Sequence, residues 1–160
     1  MEQVTFKDIK KSKEVNAYIY KGNSTLGVLG YTDHSAEHAV KVSSMAGKIL
    51  ECLGYGGHTV ELAKIAGYMH DIGNCVNRLD HPHSGALMAH QILRDMKMDY
   101  EDIAVIINAI GMHDEKSGGA VDTVSAALIL ADKTDVRRDR VRNQNKAAFD
   151  KHDRVNYAVV

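Results

Sequence analysis

Proline, tryptophan and cysteine are scarce in this sequence of 160 residues. It has one proline, no tryptophan and two cysteines. A single proline favours long helices over a loop-rich or sandwich fold, because proline interrupts helices and is common in turns. Two cysteines cannot build a disulfide framework, so the sequence favours a reducing, cytoplasmic location.

Long apolar runs and an excess of positive charge are also missing. No apolar run is long enough to cross a bilayer, and the opening MEQVTFKDIKKSK lacks the pattern of a signal peptide. Twenty Lys and Arg residues against 21 Asp and Glu give a formal net charge of -1. A nucleic-acid-binding domain normally carries a basic excess, so we expect neither a membrane nor a nucleic acid as partner.

The apolar residues instead recur at helical spacing. The length fits one domain, and we treat residues 1–160 as a single unit. The pattern predicts helices over about 5–21, 33–53, 58–71, from Pro82 onward, 99–112, 122–136 and 140–149. Residues 22–30 and 113–119 are predicted loops, and the tail RVNYAVV is a predicted strand. Such a strand could pair with another chain, as in a homodimer, or the protein could continue beyond Val160. We therefore predict an all-α bundle of about six or seven helices.

The chain has nine histidines that are not evenly scattered, and several lie at predicted helix ends beside aspartates. They are His34 at the start of the second helix, His70 and Asp71 closing the third, His81 and His83 opening the fourth, and His113 closing the fifth. Helix ends in a bundle can converge on one pocket. Imidazoles with carboxylates suit Zn, Fe, Mn or Ni.

A lone histidine is more often a helix cap or a surface residue than a metal ligand, and His81 and His113 could each be read in that way. Asp132 is harder to explain as a surface residue, because it lies in the apolar segment AALILADKTD. Burying an unpaired carboxylate there would cost free energy. Several such coincidences in one chain favour a metal site.

Three segments resemble the HD-domain phosphohydrolases in the order His, His-Asp, Asp. They are DHSAEHAVKVS, AGYMHDIGN and LILADKTDVRRDR, within about residues 31–142. The resemblance implies a helical HD domain with four ligands for a core metal ion: His34, His70, Asp71 and Asp132. It also implies that His70 and Asp71 are catalytic, and that Asp71 bridges the ions if a second one is present.

Two further segments resemble HD members with two metal ions. HPHSGA selects His81 rather than His83 as an extra ligand, by its spacing to the Gly-Ala pair, and AIGMHDEKSGG selects His113. The resemblance thus implies one or two divalent ions of Fe, Mn, Ni, Co or Zn. HDEKSGGAV lacks the doubled His and the Gly-Tyr-Pro of the HD-GYP cyclic-dinucleotide phosphodiesterases, with Asp114 in place of the second His. The sequence more closely resembles the HD hydrolases that split symmetrical dinucleoside tetraphosphates.

A group of cations follows Asp132. Lys133, Arg137, Arg138 and Arg140 could bind substrate phosphate, or could be a solvated helix end where cations are favoured anyway. We predict Lys133, Arg137 and Arg138 as substrate-binding residues.

Asp135 is a predicted supporting carboxylate, because a metal-bound histidine usually donates its other N–H to such a group. His38 and His90 lie within predicted helices, and we expect them to have packing or surface roles.

The expected reaction is hydrolysis of a phosphoester or phosphoanhydride in a small, nucleotide-like substrate by metal-activated water. Two alternatives stay open. Some relatives with a di-iron centre are oxygenases, and a metal-stabilised nucleotide sensor without turnover would use the same residues.

Overall fold

Helices are the only regular secondary structure that the computed structural model shows within residues 3–160, the part of the chain that it describes. The α-helices are α1 Phe6–Lys11, α2 Lys13–Val28, α3 Ala36–Cys52, α4 Gly57–Met69, α5 His81–Asp95, α6 Tyr100–Gly111, α7 Thr123–Thr134 and α8 Lys151–Tyr157. Short 3-10 turns lie at Ile72–Cys75, Arg138–Arg140 and Lys146–Ala148. The all-α prediction is confirmed. No helix in this range is long and apolar enough to cross a membrane.

Residues 22–30, predicted as a loop, are largely helical, because α2 continues to Val28. The glycines that suggested a loop are packing positions. A Cβ on Gly22 would lie 3.1 Å from the backbone nitrogen of Cys75, and one on Gly27 would overlap the guanidinium of Arg142. The glycines let neighbouring segments lie against this helix.

The C-terminal predictions are wrong. The tail predicted as a strand forms α8, and the helix predicted over 140–149 is replaced by short 3-10 turns. Asp150 begins α8 with a capping box, in which its side chain accepts from the backbone N–H of Asp153 and the Asp153 side chain accepts from the N–H of Asp150. This cap determines where the last helix starts.

The core lies where α3, α4 and α7 pack together, with α6 against α4 and α7, and α5 against α6 and the turn after α4. Its largest fully buried apolar side chains include Leu50, Ile65, Met69, Ile106 and Leu128. Burying such side chains is the main stabilising contribution to a bundle of this kind. The functional site lies where α4 ends and α5, α6 and α7 converge.

Gly73 brings α5 against the turn that follows α4. A Cβ at this position would overlap the carbonyl oxygen of His81 and lie 2.6 Å from the backbone nitrogen of Gly85. Only glycine permits this approach, which places the first turn of α5 beside Asp71.

Candidate metal centre

Asp71, at the end of α4, lies at the centre of the histidine cluster. Its Oδ2 atom is 3.0 Å from His70 Nε2, 3.5 Å from His38 Nε2 and 4.0 Å from His34 Nε2. His38 comes from α3, and His34 from the segment just before it. Three imidazoles therefore direct the same nitrogen toward one carboxylate oxygen.

The other carboxylate oxygen of Asp71 faces a second pair of histidines. Its Oδ1 atom is 3.5 Å from His81 Nε2 and 3.8 Å from His113 Nε2. These two Nε2 atoms are 3.2 Å apart. The single carboxylate of Asp71 is thus shared between two sets of imidazoles.

Asp132 adds a second carboxylate on the Oδ2 side. Its Oδ1 atom lies 3.2 Å from His38 Nε2 and 3.6 Å from His70 Nε2. We call His38, His70, Asp132 and Asp71 Oδ2 the first half-site. His81, His113 and Asp71 Oδ1 form the second half-site.

The Nδ1 atoms of all five imidazoles are hydrogen-bonded to other residues of the protein. The acceptors are Thr32 O for His34 (2.7 Å), Asp135 Oδ2 for His38 (2.8 Å), Gly67 O for His70 (2.8 Å), Arg78 O for His81 (3.0 Å) and Ile110 O for His113 (2.6 Å). Carbonyl and carboxylate oxygens accept hydrogen bonds, so Nδ1 carries the proton in each ring. A neutral ring then presents a lone pair at Nε2, the form in which histidine binds a metal.

The cluster fits a divalent cation. His38 Nε2, His70 Nε2 and Asp71 Oδ2 are buried and have no hydrogen-bond partner within residues 3–160. The facing lone pairs of His81 and His113 also need a positive group between them. Buried polar atoms normally have partners, and a cation would supply one for each of these. The donor set, imidazole nitrogen and carboxylate oxygen without thiolate, suits Fe, Mn, Ni, Co or Zn.

In the metal-free protein the histidines of the two half-sites have pKa values shifted in opposite directions. Burial disfavours the charged form of His38, but the adjacent carboxylates of Asp132 and Asp135 outweigh burial and raise its pKa to about 9. Burial likewise opposes protonation of His70, while Asp71 and Asp132 raise its pKa well above the usual value.

In the second half-site the effect of burial on the histidine pKa values is larger than that of the nearby carboxylates. It lowers the pKa of His113 to about 4, with the nearby His70 acting in the same direction, and it lowers the pKa of His81. Burial also lowers the pKa of His34 to about 3.

All six predicted ligands lie in the cluster, but one member was missed. His38 was expected to have a packing or surface role, whereas its side chain is 1% exposed and faces both carboxylates. Its position could have been found from the buried stripe of α3, because Val42 and Ala46 follow it at intervals of four residues. His34, assigned in its place, is the farthest of the five imidazoles from Asp71.

His81 and His83 are placed as their spacing to the Gly-Ala pair predicts. His81 is buried in the second half-site, while His83 is 55% exposed and hydrogen-bonds to the side chain of Asp80. His90 is half-buried on α5, outside the cluster.

Asp135 has the supporting position that was predicted for it. Its Oδ2 atom accepts the Nδ1 proton of His38, and its Oδ1 atom accepts from Arg137 Nε at 2.7 Å. The imidazole of His38 is thereby held between two carboxylates. Its partner, however, is His38, which was not among the predicted ligands.

A pocket of about 600 Å³ opens above the cluster. Its basic lining residues are Arg78, Lys116, Lys133, Arg140, Lys151 and His152. Arg140 is fixed by hydrogen bonds to the backbone carbonyls of Asp33 and Asp135. The pocket therefore joins a metal-binding floor to walls with positive groups that suit an anionic ligand.

Two of the predicted substrate-binding residues, Arg137 and Arg138, are absent from the pocket lining formed by residues 3–160. Arg137 is bound by the carboxylates of Glu37, Asp135 and Asp139. The guanidinium of Arg138 lies over the Tyr157 ring. Those two predictions are corrected: both guanidiniums have partners within the protein, and of the three predicted residues only Lys133 reaches the pocket.

Comparisons with known proteins agree with this geometry. The model of the HD domain family matches residues 35–153. An uncharacterized protein of Methanocaldococcus jannaschii is 29% identical, with 88% of this chain and 62% of that protein covered. Ribonuclease Y of Enterococcus faecalis is 30% identical over 72% of this chain and 20% of its own length. The chain thus spans about three fifths of the first relative and a fifth of the second.

Among solved structures, a predicted HD superfamily hydrolase from an uncultured Thermotogales bacterium has the same fold. The TM-score is 0.57 at 22% identity, covering 76% of this chain and 66% of the other. The family model spans most of the chain and takes in both half-sites, from His38 to Asp132. This chain belongs to the HD domain family.

Proposed function

We propose that this HD domain is a metal-dependent hydrolase that cleaves a phosphoester or phosphoanhydride in a small, nucleotide-like substrate. The observation that carries the proposal is the position of Asp71. Its two oxygens face two separate sets of histidine Nε2 atoms, at the floor of a pocket with basic walls. A carboxylate that faces two donor sets could be shared by two cations, which together would stabilise the attacking and leaving oxygens of a phosphoryl group.

Two cations would share Asp71 and would otherwise be held by different residues. The first half-site would bind one ion through His38, His70, Asp71 and Asp132, and the second half-site would bind the other through Asp71, His81 and His113. When bound, divalent ions would lower the pKa of water and neutralise charge on phosphoryl oxygens.

His34 has a different task in this proposal. Its Nδ1 donates to Thr32 O, which fixes the ring, and its Nε2 lies 4.0 Å from Asp71 Oδ2 while the residue also lines the pocket. Because burial lowers its pKa to about 3, its Nε2 is unprotonated at neutral pH and can accept a hydrogen bond from water. We propose that His34 orients water beside Asp71.

RNA is the second candidate substrate, because several relatives are named Ribonuclease Y. Cleavage of RNA would also be hydrolysis of a phosphodiester. Two observations favour the small substrate. The net charge of -1 supplies no general attraction for a polyanion, and Lys151, His152 and Val155 of α8 wall one side of the pocket.

The test combines metal analysis with a substrate panel. The purified protein is stripped, reloaded with Mn, Fe, Ni, Co or Zn, and assayed on p-nitrophenyl phosphate, nucleotides, a dinucleoside tetraphosphate and an RNA oligonucleotide. We expect up to two ions per chain and metal-dependent phosphate release from a nucleotide.

Preferential cleavage of the oligonucleotide would replace the small substrate with RNA. Nucleotide binding without turnover under every metal would indicate a sensor. Oxygen consumption by the iron form, without phosphate release, would indicate an oxygenase. Each of the last two results would overturn the hydrolase proposal.

A further inference from the structure

Three charged side chains from separate segments meet at the mouth of the pocket. Glu115 Oε1 accepts from Lys151 Nζ at 2.8 Å, and Glu115 Oε2 accepts from Lys133 Nζ at 3.0 Å. Glu115 lies in the loop after α6, Lys133 near the end of α7 and Lys151 at the start of α8. We call these three residues the clasp.

The clasp lies close to the candidate metal centre along the chain. Lys133 directly follows Asp132, and Glu115 is two residues beyond His113. Two residues span at most about 7 Å between Cα atoms, so the backbone of Lys133 adjoins the first half-site and that of Glu115 adjoins the second. All three members line the same pocket as Asp71.

The geometry of the clasp is that of an occupied anion site. One carboxylate presents two oxygens to two ammonium groups, an arrangement that two oxygens of a phosphate group would reproduce. The side chains are 41% exposed for Glu115, 52% for Lys133 and 73% for Lys151, so water reaches all of them. Exposed ion pairs of this kind are weak and exchange readily with a competing anion.

We propose that Lys133 and Lys151 bind a second phosphate group of the substrate, next to the one that is cleaved, and that Glu115 holds the two lysines together until that phosphate displaces it. The inference rests on the proposed function and narrows it. The substrate class is a nucleotide with two or more phosphates in one chain, because the clasp adjoins the half-sites.

Charge explains why the exchange favours phosphate. Two lysines and one glutamate have a net charge of +1. A phosphate group carries close to two negative charges, so it neutralises the lysine pair more fully than a single carboxylate does. Replacing Glu115 by glutamine should therefore free both lysines for the substrate, whereas removing a lysine should weaken only the binding of the second phosphate.

The experiment compares ADP with AMP, which differ by the second phosphate. For the metal-loaded wild type, K151M, K133M, E115Q and the control K10M, kcat/KM is measured for each nucleotide, and Kd by isothermal titration calorimetry. Lys10 is an exposed lysine on α1 that does not line the pocket. We expect the ADP-to-AMP preference to fall about fivefold in K151M and K133M. It should rise in E115Q, persist in K151R and stay unchanged in K10M.

Equal losses of kcat/KM for ADP and AMP in K151M, or a lower ADP-to-AMP preference in E115Q, would disprove the phosphate subsite. The clasp would then be a structural contact only. A change in the thermal midpoint of K151M identifies misfolding, in which case K151R against E115Q decides the question. If neither nucleotide is hydrolysed, the proposed function fails, and the ratio of Kd values for ADP and AMP still tests the subsite separately.

Discussion

The two oxygens of Asp71 face environments that differ in charge. The first half-site has a second carboxylate, Asp132, and its His38 is supported by the carboxylate of Asp135. In the second half-site the Nδ1 atoms of His81 and His113 donate to backbone carbonyls, and the carboxylate that their Nε2 atoms face within 4.0 Å is that of Asp71. A divalent cation is attracted more strongly where two negative charges face it. We therefore expect the first half-site to bind its ion more tightly than the second.

Removing the carboxylate of Asp71, which both half-sites share, should abolish metal binding in both and with it their difference in affinity. Asp71→Ala takes an oxygen from each half-site, so we expect metal content near zero and a loss of activity of about a thousandfold, since bound metal supplies several kcal/mol of transition-state stabilisation. Metal analysis and kcat/KM measure both effects. Asp95→Ala, at an exposed position on α5, is the control and should behave as wild type. Normal stoichiometry in Asp71→Ala would disprove the shared carboxylate.

His38 and His34 sharpen the definition of the first half-site. His38→Ala removes the ring that faces both carboxylates, and we expect loss of the tighter ion with a few hundredfold lower activity, on the order of the effect of losing a metal ion. His34→Ala should keep the metal content and lower kcat by about tenfold, as expected for a residue that orients water. Metal loss in His34→Ala with retention in His38→Ala would return the ligand role to His34.

The second half-site is tested by two histidines at the start of α5. His81→Ala should lower the stoichiometry from two ions to one and reduce activity by about a hundredfold, because the tighter first ion remains. His83→Ala is the matched control, since His83 is 55% exposed and lies outside the cluster. If metal analysis shows the same content for both variants, the second half-site does not bind an ion.

Proton competition should distinguish the half-sites by pH. In the metal-free protein His38 has a pKa of about 9, so it is protonated at pH 7 and a cation must displace that proton. Loss of this proton should raise first-site affinity about fiftyfold from pH 7 to 9, and His70, whose pKa also lies well above the usual value, should add to that rise.

Second-site affinity should stay nearly constant over this range, because the pKa of His113, about 4, leaves it neutral throughout. Chelator competition in wild type and in His81→Ala measures each dependence. A flat profile for the first site would contradict the charge difference.

The smallest expected effect is the loss of metal affinity when the hydrogen bond from His38 Nδ1 to Asp135 is weakened. Asp135→Asn keeps the shape but removes the charge that holds the Nδ1 proton, and such changes typically cost about tenfold or more in metal affinity. Asp139→Asn is the control, because Asp139 also binds Arg137 but is 73% exposed and contacts no imidazole. Equal affinities in the two variants would show that Asp135 does not act on the metal centre.

Much of the helical pattern could be predicted from the sequence, because apolar spacing and capping residues act locally. The break between α1 and α2 was missed, although Ser12 caps the second of them, because Ser12 lies in a continuous helical pattern. Gly22 looked like a loop residue, because sequence does not distinguish a glycine that permits packing from one that ends a helix.

Within the site, His70 and Asp71 were identified because they are adjacent and end an apolar helix. The choice between His34 and His38 could not be made in the same way, because both lie near the start of α3, four residues apart. It depends on α7, which brings Asp132 and Asp135 to the side of α3 where His38 is buried. The substrate-binding prediction for Arg137 failed for a related reason, since its carboxylate partners include Glu37, a hundred residues away.

The sequence by itself determined the helical class, the pairing of His70 with Asp71 and the isolated carboxylate of Asp132 in an apolar segment. Each of these depends on residues that are close along the chain. Only the tertiary structure decided which imidazoles face which oxygen of Asp71 and which cations reach the pocket. Those relations join α3, α5, α6, α7 and α8, and they depend on packing contacts such as that of Gly73 with Gly85, which local patterns do not encode.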